Sequence, residues 1–368
     1  MNNLIIESIG RPIEEDFSKT SVAHARNSVI LSKLIGADIV TCERDMHKAK
    51  GQTYDNIICC YASPYMKYKK LIQIVRDSPK AKLWWFVNDH DLEDNILLRN
   101  VMKEDPSRRS IAMICNNPRE NYRGWILRKK LKEEDGTVYG LLDDVITEWH
   151  TININALMYD YEHPYKWEDK TEDSIYWGTM RKWRLEDLLE YQKTGMTLSA
   201  TSRTQNKFIE KGVTECQFVD KLSWQKGHED LIKYKFSLYI EDDHTHDHYA
   251  FLANRFYESL MYNVINIFDS KCAENMKKSG YDIPEEFVVN DSIEFMYLTQ
   301  TLSSKEDFEC ALKLNEEHKQ KARVENAESR LYLSNLFGLH SSGPLEDLAS
   351  KLPHDGQTCF GPDCHLCK

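Results

Sequence analysis

The chain has 368 residues, of which 41% are hydrophobic and 29% are charged, and its formal net charge is −11. This length favours about two domains. The sequence contains no apolar run of about 18 residues and only ten cysteines, and its N-terminus does not resemble a secretory signal. We therefore expect a soluble, cytoplasmic protein with no membrane partner and no disulfide scaffold. The excess of acidic side chains argues against extensive wrapping of a polyanion.

The first part of the chain alternates strands with helical segments. Strands are predicted at residues 3–8, 37–42, 54–61, 81–88, 110–115 and 145–149, and helices at 18–34 and after Pro64, Glu93 and Tyr122. Continuous apolar strands such as NIICCY and LWWFV are typical of a parallel sheet buried on both faces. We therefore expect a Rossmann-like domain over residues 1–160.

A second series of strands and helices follows a linker, MYDYEHPYKWEDKTED, that lacks periodicity. Strands are predicted at residues 174–177, 196–200, 216–219, 236–240, 264–268 and 286–289, and helices from Trp183, Thr204, Ser223, Tyr249 and Ser270. The predicted fold class is α/β, with two Rossmann-like domains facing a cleft, the second over residues 161–303. We expect residues 304–340 to form one or two helices that pack back on the first domain, followed by a Cys/His tail over residues 341–368.

The tail combines a C-x-x-C motif with two further residues of metal-binding types, one histidine and one cysteine. Its candidate ligands are His354, Cys359, Cys364 and Cys367. Four such ligands on a short segment could close a tetrahedral zinc site, which would let a small tail fold. The alternative is a flexible tail with free thiols.

In doubly wound sheets, ligands bind beyond the carboxyl ends of the strands. Asp89 and His90 follow the strand LWWFV and could act as a general base toward an acceptor hydroxyl. The alternative is that Asp89 or Asp91 caps the next helix.

The strand SIYW is followed by a turn at Gly178 and then by cations at the start of a helix, including Arg181 and Arg184. Cations in a first helical turn oppose the helix dipole unless an anion binds there, so the pattern indicates a diphosphate site. The alternative is that these cations pair with Glu186, Asp187 and Glu190.

A third cluster begins with EDDHTHDH, residues 241–248, and continues into a helix predicted from Tyr249. One of its histidines, such as His246, is expected to contact the sugar or phosphate of a ligand, and a bound metal is the weaker alternative. Asn254 and Arg255 lie one turn before Glu258, which we expect about three turns into the helix. The alternative for Glu258 is an exposed carboxylate or one that is paired with Arg255.

Glycine is scarce, with 15 residues, and the sequence has neither GxGxxG nor GxxxxGK[ST]. Any nucleotide must therefore be held by side chains and helix ends rather than by a glycine-rich loop.

A local basic stretch lies within this acidic chain. It comprises Arg119, Arg123, Arg128, Lys129, Lys130 and Lys132. The segment after Tyr122 is predicted to be helical, and its cations could contact nucleic-acid phosphates. The alternative is a solvated helix face.

Three motifs occur in the order FVNDHDLEDNILLRN, YWGTMRKWR and FYESLMYNVINIF. In this order they resemble the bacteriophage DNA α-glucosyltransferases, GT-B enzymes that modify 5-hydroxymethylcytosine. The resemblance implies a UDP-sugar donor, double-stranded DNA as partner, and Asp89, with His90 beside it, acting on the acceptor hydroxyl. It further implies that Arg181 and Arg184 bind the diphosphate and that Glu258 holds the ribose hydroxyls. The first loop, IGRPIEED, lacks the glycine pair usual in that family.

These features predict a glycosyltransferase that moves a sugar from a UDP-sugar to a hydroxymethylated base of phage DNA. The cations would stabilise the departing diphosphate, so no catalytic metal is expected. A base in duplex DNA would have to be flipped out. One alternative is a different acceptor, such as a glycan or a lipid headgroup. Another is a non-catalytic binding module on a degenerate transferase fold.

Overall fold

The structure is a computed structural model that describes residues 1–7, 23–61, 68–87, 110–119, 130–132, 138–141, 145–178, 181–222, 229–242 and 250–338. The chain divides into two compact units. Among the described residues, the first takes in those of Met1–Leu157 together with residues 327–338, and the second those of Met158–Asn326. Within the described ranges, no helix combines the length and apolar character needed to cross a membrane.

The first unit is built on a six-stranded parallel sheet. Its strands and helices are β1 Asn3–Glu7, α1 Ala23–Leu34, β2 Asp38–Val40, α2 Met46–Ala49, β3 Asn56–Tyr61, α3 Tyr68–Asp77, β4 Lys82–Val87, β5 Ile111–Cys115, β6 Lys130–Lys132, β7 Val138–Leu141 and β8 Ile146–Thr151. The sheet order is β2-β1-β3-β4-β5-β8. Every residue of β1 and of β5 is buried, because these apolar strands are covered on both faces.

A separate antiparallel pair, β6 with β7, corrects one prediction. Lys130 pairs with Leu141 and Lys132 with Val138, so the basic stretch does not end as the expected helix. The alternation Lys130-Leu131-Lys132 has the period of a strand, and the sequence between the two strands contains Asp135-Gly136, a dipeptide typical of hairpin turns. These signals outweigh the helical propensity of the neighbouring Lys and Glu residues.

The second unit contains another six-stranded parallel sheet, of order β11-β10-β9-β12-β13-β14. Its elements are β9 Glu172–Trp177, α4 Leu185–Tyr191, β10 Thr197–Ser199, α5 Ser202–Glu210, β11 Gln217–Val219, β12 Tyr234–Tyr239, α6 Asn254–Met261, β13 Ile265–Asp269, α7 Ala273–Ser279, β14 Val288–Val289, α8 Ser292–Thr301 and α9 Lys305–Leu336. Aromatic and aliphatic side chains such as Tyr176, Leu198 and Phe236 fill its core. The predicted α/β class with two parallel sheets is confirmed.

The last described helix, α9, is continuous over 32 residues. Its residues up to Asn326 belong to the second unit, and those from Ala327 belong to the first. Near its start, Phe308 packs against Phe236 and Trp167. Near its end, the Tyr332 hydroxyl lies 2.8 Å from Nδ1 of His150.

Candidate functional site

The second sheet reverses its direction of growth at β9. This strand pairs with β10 on one side and with β12 on the other. Polar residues that follow β9 and β12 therefore lie at a topological switch point, where open α/β sheets bind ligands beyond the strands' carboxyl ends. Trp177 ends β9, and Glu241 and Asp242 follow shortly after β12.

Arg184 is buried at this edge and carries two carboxylate partners. Its Nη2 donates to Oε2 of Glu241 at 3.1 Å, and its Nε lies 2.6 Å from Oδ1 of Asp242. Nη1 also donates to the Tyr176 hydroxyl at 3.4 Å. Burial acts to lower the pKa of Arg184, but Tyr176, Glu241 and Asp242 outweigh it and raise the pKa. The guanidinium is therefore held as a cation in a fixed orientation.

Two of the three acidic residues suggested in sequence as alternative partners of these cations contact other residues. Asp187 forms an ion pair with Lys271. Glu190 pairs with Lys193 and accepts a hydrogen bond from the Ser292 hydroxyl at 2.7 Å. That local alternative is wrong for Arg184, because carboxylates some 57 residues away in sequence reach it through the sheet.

Arg255, the second residue of α6, extends the same network. Its Nη2 lies 3.1 Å from Oε1 of Glu241, so one carboxylate joins Arg255 to Arg184. The guanidinium also lies 5.5 Å from the ring centroids of Tyr176 and of Tyr239, a distance suited to cation–π attraction. Arg255 thus pairs with Glu241 at this edge.

Glu258 is nearer the start of its helix than the sequence predicted. Helix α6 begins at Asn254 rather than near Tyr249, because the Ala253 N–H donates to the Tyr239 hydroxyl at 2.7 Å and Ala253 is extended. Glu258 is therefore the fifth residue of the helix. It is only 3% exposed, and its Oε2 accepts a 2.7 Å hydrogen bond from Nε1 of Trp177.

Arg181 is the most exposed of the three site arginines. Its side chain is 38% exposed, and its Nε lies 3.5 Å from Oδ2 of Asp242. Gly178, three residues earlier, must be a glycine, since a Cβ there would lie 2.7 Å from the Tyr176 hydroxyl oxygen. Arg181 is therefore anchored at its base and accessible to solvent.

Two more polar groups belong to this edge. The Oδ1 atom of Asn254 is buried and has no hydrogen-bond partner in the described structure. Lys221, two residues beyond β11, has a pKa lowered by burial, an effect that the charge of Glu258 opposes. Sequence reasoning missed Trp177, Lys221 and the anchoring role of Glu241. The available signal was their position, with Trp177 at the end of a strand and Lys221 and Glu241 two residues after one.

The first sheet has its own switch point at β1, which lies between β2 and β3. Glu7 ends β1, is buried, and accepts a 2.6 Å hydrogen bond from the Ser28 hydroxyl. Burial raises the pKa of Glu7 to about 8, although the Ser28 hydrogen bond acts to lower it. The sequence predicted a strand at residues 3–8 but did not single out Glu7.

Several predicted site residues lie outside the described residues. They are Asp89, His90, His246, His354, Cys359, Cys364 and Cys367. In the part of the chain that is described, no group of three or more His, Cys, Asp or Glu side chains is arranged to hold a metal ion. The structure thus brings together Arg181, Arg184, Asn254, Arg255 and Glu258 at one edge of the second sheet.

No protein-family model and no curated protein matches the chain, but solved structures do. T4 phage BGT in complex with UDP and Mn²⁺ gives a TM-score of 0.65 at 17% identity, covering 92% of this chain and 100% of that one. An alpha-glucosyltransferase in complex with UDP and a 13-mer DNA containing a HMU base gives 0.59 at 11% identity, covering 90% and 95%. The same coverage and identity, with a TM-score of 0.55, are found for alpha-glucosyltransferase in complex with UDP-glucose and DNA containing an abasic site. Identities this low establish the fold alone, and the chain therefore has the GT-B fold of the phage DNA glucosyltransferases.

Proposed function

We propose that this protein is a glycosyltransferase that binds a UDP-sugar at the carboxyl edge of the second sheet. The observation that carries the proposal is the convergence of Arg181, Arg184, Arg255 and Glu258 at the switch point of that sheet. Cations and a buried acid side by side suit a ligand with both phosphates and hydroxyls. They also suit a chain that lacks glycine-rich phosphate loops.

In this proposal the three arginines have different roles. Arg181 contacts the diphosphate directly, since its side chain is the accessible one. Arg184 and Arg255 supply positive charge from behind it, held in place by Glu241 and Asp242. Fixed cations aimed at a leaving group stabilise the negative charge that develops as the sugar bond breaks. The arginines thereby take a role that a metal ion would otherwise fill, so we expect transfer without a catalytic metal.

The remaining roles concern the nucleoside and the acceptor. Glu258 accepts hydrogen bonds from the ribose hydroxyls, and the unpartnered Oδ1 of Asn254 offers a further acceptor on the same helix face. His246 donates to the sugar or phosphate. Asp89, with His90 beside it, takes the proton of the acceptor hydroxyl as general base.

The acceptor that we propose is a hydroxymethylated base in double-stranded phage DNA. Support comes from the sequence motifs and from structural neighbours that hold DNA. The net charge of −11 favours a second candidate, a smaller hydroxyl acceptor such as a glycan or a lipid headgroup, because DNA affinity depends on phosphate neutralisation. Both candidates use the same donor site.

The donor assignment is tested by thermal unfolding of the protein with UDP and a panel of UDP-sugars. We expect UDP and at least one UDP-sugar to raise the Tm of the wild type, in EDTA as well as with Mn²⁺. Arg181→Ala should lose most of the shift, whereas Arg76→Ala, an exposed arginine of α3, should keep it. No shift with any nucleotide would refute the donor site, and a shift that requires Mn²⁺ would refute the metal-free expectation.

A further inference from the structure

Trp177 links the sheet to the proposed ribose-binding acid. Its indole N–H donates to Oε2 of Glu258 at 2.7 Å, across 81 residues of sequence. Trp177 is 9% exposed and Glu258 is 3% exposed, so water competes little for this contact. A buried hydrogen bond to a carboxylate is among the stronger polar contacts in proteins.

Trp177, which donates this hydrogen bond, lies on a rigid element. Trp177 is the last residue of β9 and pairs with Ser199 of β10. The charge of Glu258 also acts on Lys221, beyond β11, where it opposes the lowering of the lysine pKa by burial. The Trp177 hydrogen bond therefore ties the end of β9 to a carboxylate that is carried by α6. This arrangement restricts the carboxylate more closely than the helix alone would.

The hydrogen bond from Trp177 is made to one oxygen of the Glu258 carboxylate. The two oxygens of a carboxylate offer about four lone-pair sites, so such a group can accept from several donors at once, hydroxyls of a ligand among them. A carboxylate with one oxygen fixed presents the rest of its acceptor geometry in a defined direction. Pre-organisation of this kind raises affinity by reducing the entropy lost on binding.

We propose that Trp177 is a positioning residue that orients Glu258 toward both hydroxyls of the donor ribose, and so sets the preference for ribonucleotides over 2′-deoxyribonucleotides. The inference rests on the proposed function, because it assumes that Glu258 meets a ribose. It adds two points to the proposed function. One is a residue that acts through Glu258, and the other is weaker binding of 2′-deoxynucleotides at the site.

A packing role and a positioning role for Trp177 make different demands. Packing against the core needs the ring, which Phe supplies in large part, whereas positioning needs the N–H, which Phe lacks. The informative substitution is therefore Trp177→Phe. Trp167→Phe is a matched control, since Trp167 is a partly buried tryptophan that packs on Phe308.

The experiment measures the affinities of UDP and 2′-deoxy-UDP for the wild type, Trp177→Phe, Glu258→Gln, the double variant and Trp167→Phe. We expect the wild type and the control to prefer UDP by roughly tenfold or more, the effect of a hydrogen bond to a charged group. Trp177→Phe should lose most of that preference through weaker UDP binding. The double variant should discriminate between UDP and 2′-deoxy-UDP no less than Glu258→Gln alone does, because both substitutions remove the same interaction.

Kinetics add a second readout. Once a UDP-sugar substrate is known, Trp177→Phe should raise KM for it severalfold and leave kcat within about twofold, the mark of lost ground-state binding. Each variant is first checked for its Tm without ligand. If Trp177→Phe does not fold, Trp177→Leu serves as the second variant without an N–H.

The outcomes separate this inference from the proposed function. If Trp177→Phe keeps the wild-type preference while Glu258→Gln loses it, the positioning role is refuted and the donor site stands. If the wild type binds UDP and 2′-deoxy-UDP equally, the ribose role of Glu258 is refuted, and this inference with it. If the wild type binds neither nucleotide, the proposed function itself fails.

Discussion

At the scale of single residues, burial separates two arginines that look alike in the sequence. Arg184 lies between Glu241 and Asp242 with its side chain 9% exposed, whereas that of Arg181 is 38% exposed. A buried ion pair that loses one partner leaves an uncompensated charge, but an exposed pair is worth little. The sequence motif could therefore identify both cations without showing which of them the fold needs.

The first prediction follows from that difference. Arg184→Ala should lower the free energy of unfolding by about 3–5 kcal/mol, because the buried carboxylates of Glu241 and Asp242 each lose one of their arginine partners. Arg181→Ala should lower it by less than about 1 kcal/mol. Urea unfolding of both variants at neutral pH measures the two changes. Equal losses of stability would contradict the division of roles between these residues.

Glu7 gives a residue-scale prediction in pH. Its pKa is about 8 in the folded protein, above the ordinary value of 4.5, owing to burial. A raised folded-state pKa contributes stability that is complete below about pH 4.5 and is lost as the pH rises toward 8. Glu7→Gln keeps an acceptor for the Ser28 hydroxyl but cannot ionise.

The Tm difference between Glu7→Gln and the wild type should therefore become more favourable to the variant as the pH rises from 5 to 8. Glu274→Gln, which changes an exposed carboxylate that lies 3.9 Å from Lys278, should show no such trend. Parallel Tm profiles for Glu7→Gln and the wild type across this range would contradict the assignment.

At the scale of elements, the parallel strands were predictable and several helix positions were not. Strands such as Ile111–Cys115 are uninterrupted apolar runs, a signal contained in a few neighbouring residues. Helix α8 was missed because its exposed positions include Ile293 and Tyr297, which blur the apolar face that Phe295 forms. The start of α6 depends on the contact between Ala253 and Tyr239, which no local pattern reveals.

Lys170 ties three elements of the second unit together. It is buried just before β9, and its Nζ donates to the carbonyl of Tyr234 at 2.8 Å, where β12 begins, and to that of Tyr262 at 2.9 Å, just after α6. Burial lowers the pKa of Lys170 to about 7 from the ordinary value of 10.5. A lowered pKa contributes stability that is complete above about pH 10.5 and is lost as the pH falls through 7.

We therefore expect the wild type to lose stability between pH 9 and pH 6 relative to Lys170→Met. The variant should nevertheless be the less stable protein at pH 9, by about 1–3 kcal/mol for each carbonyl left without a donor. Chemical unfolding at the two pH values gives both quantities. Lys277→Met, at the end of α7, is the matched control. A pH-independent difference between Lys170→Met and the wild type would contradict the lowered pKa.

At the scale of the whole molecule, fold and site were predictable to different extents. Two parallel sheets follow from repeated local patterns, and the same fold recurs at only 17% identity in T4 phage BGT. Arg181, Arg184 and Glu258 were identified from motifs. Their arrangement was not, because the contacts of Arg184 with Glu241 and of Trp177 with Glu258 join residues far apart in sequence. Only the sheet order brings them to one edge.

The proposed activity of this chain is transfer of a sugar from a UDP-sugar to a hydroxymethylated base. The test uses two DNA duplexes, one with 5-hydroxymethylcytosine and the other with cytosine at the same positions. Each duplex is incubated with the protein and each UDP-sugar, and the masses of its nucleosides are measured by mass spectrometry. The proposal predicts a sugar-sized mass increase on 5-hydroxymethylcytosine alone, with Arg181→Ala much slower than Arg76→Ala. Release of UDP without modified DNA would refute the DNA acceptor, and neither release nor transfer with any UDP-sugar would contradict the account as a whole.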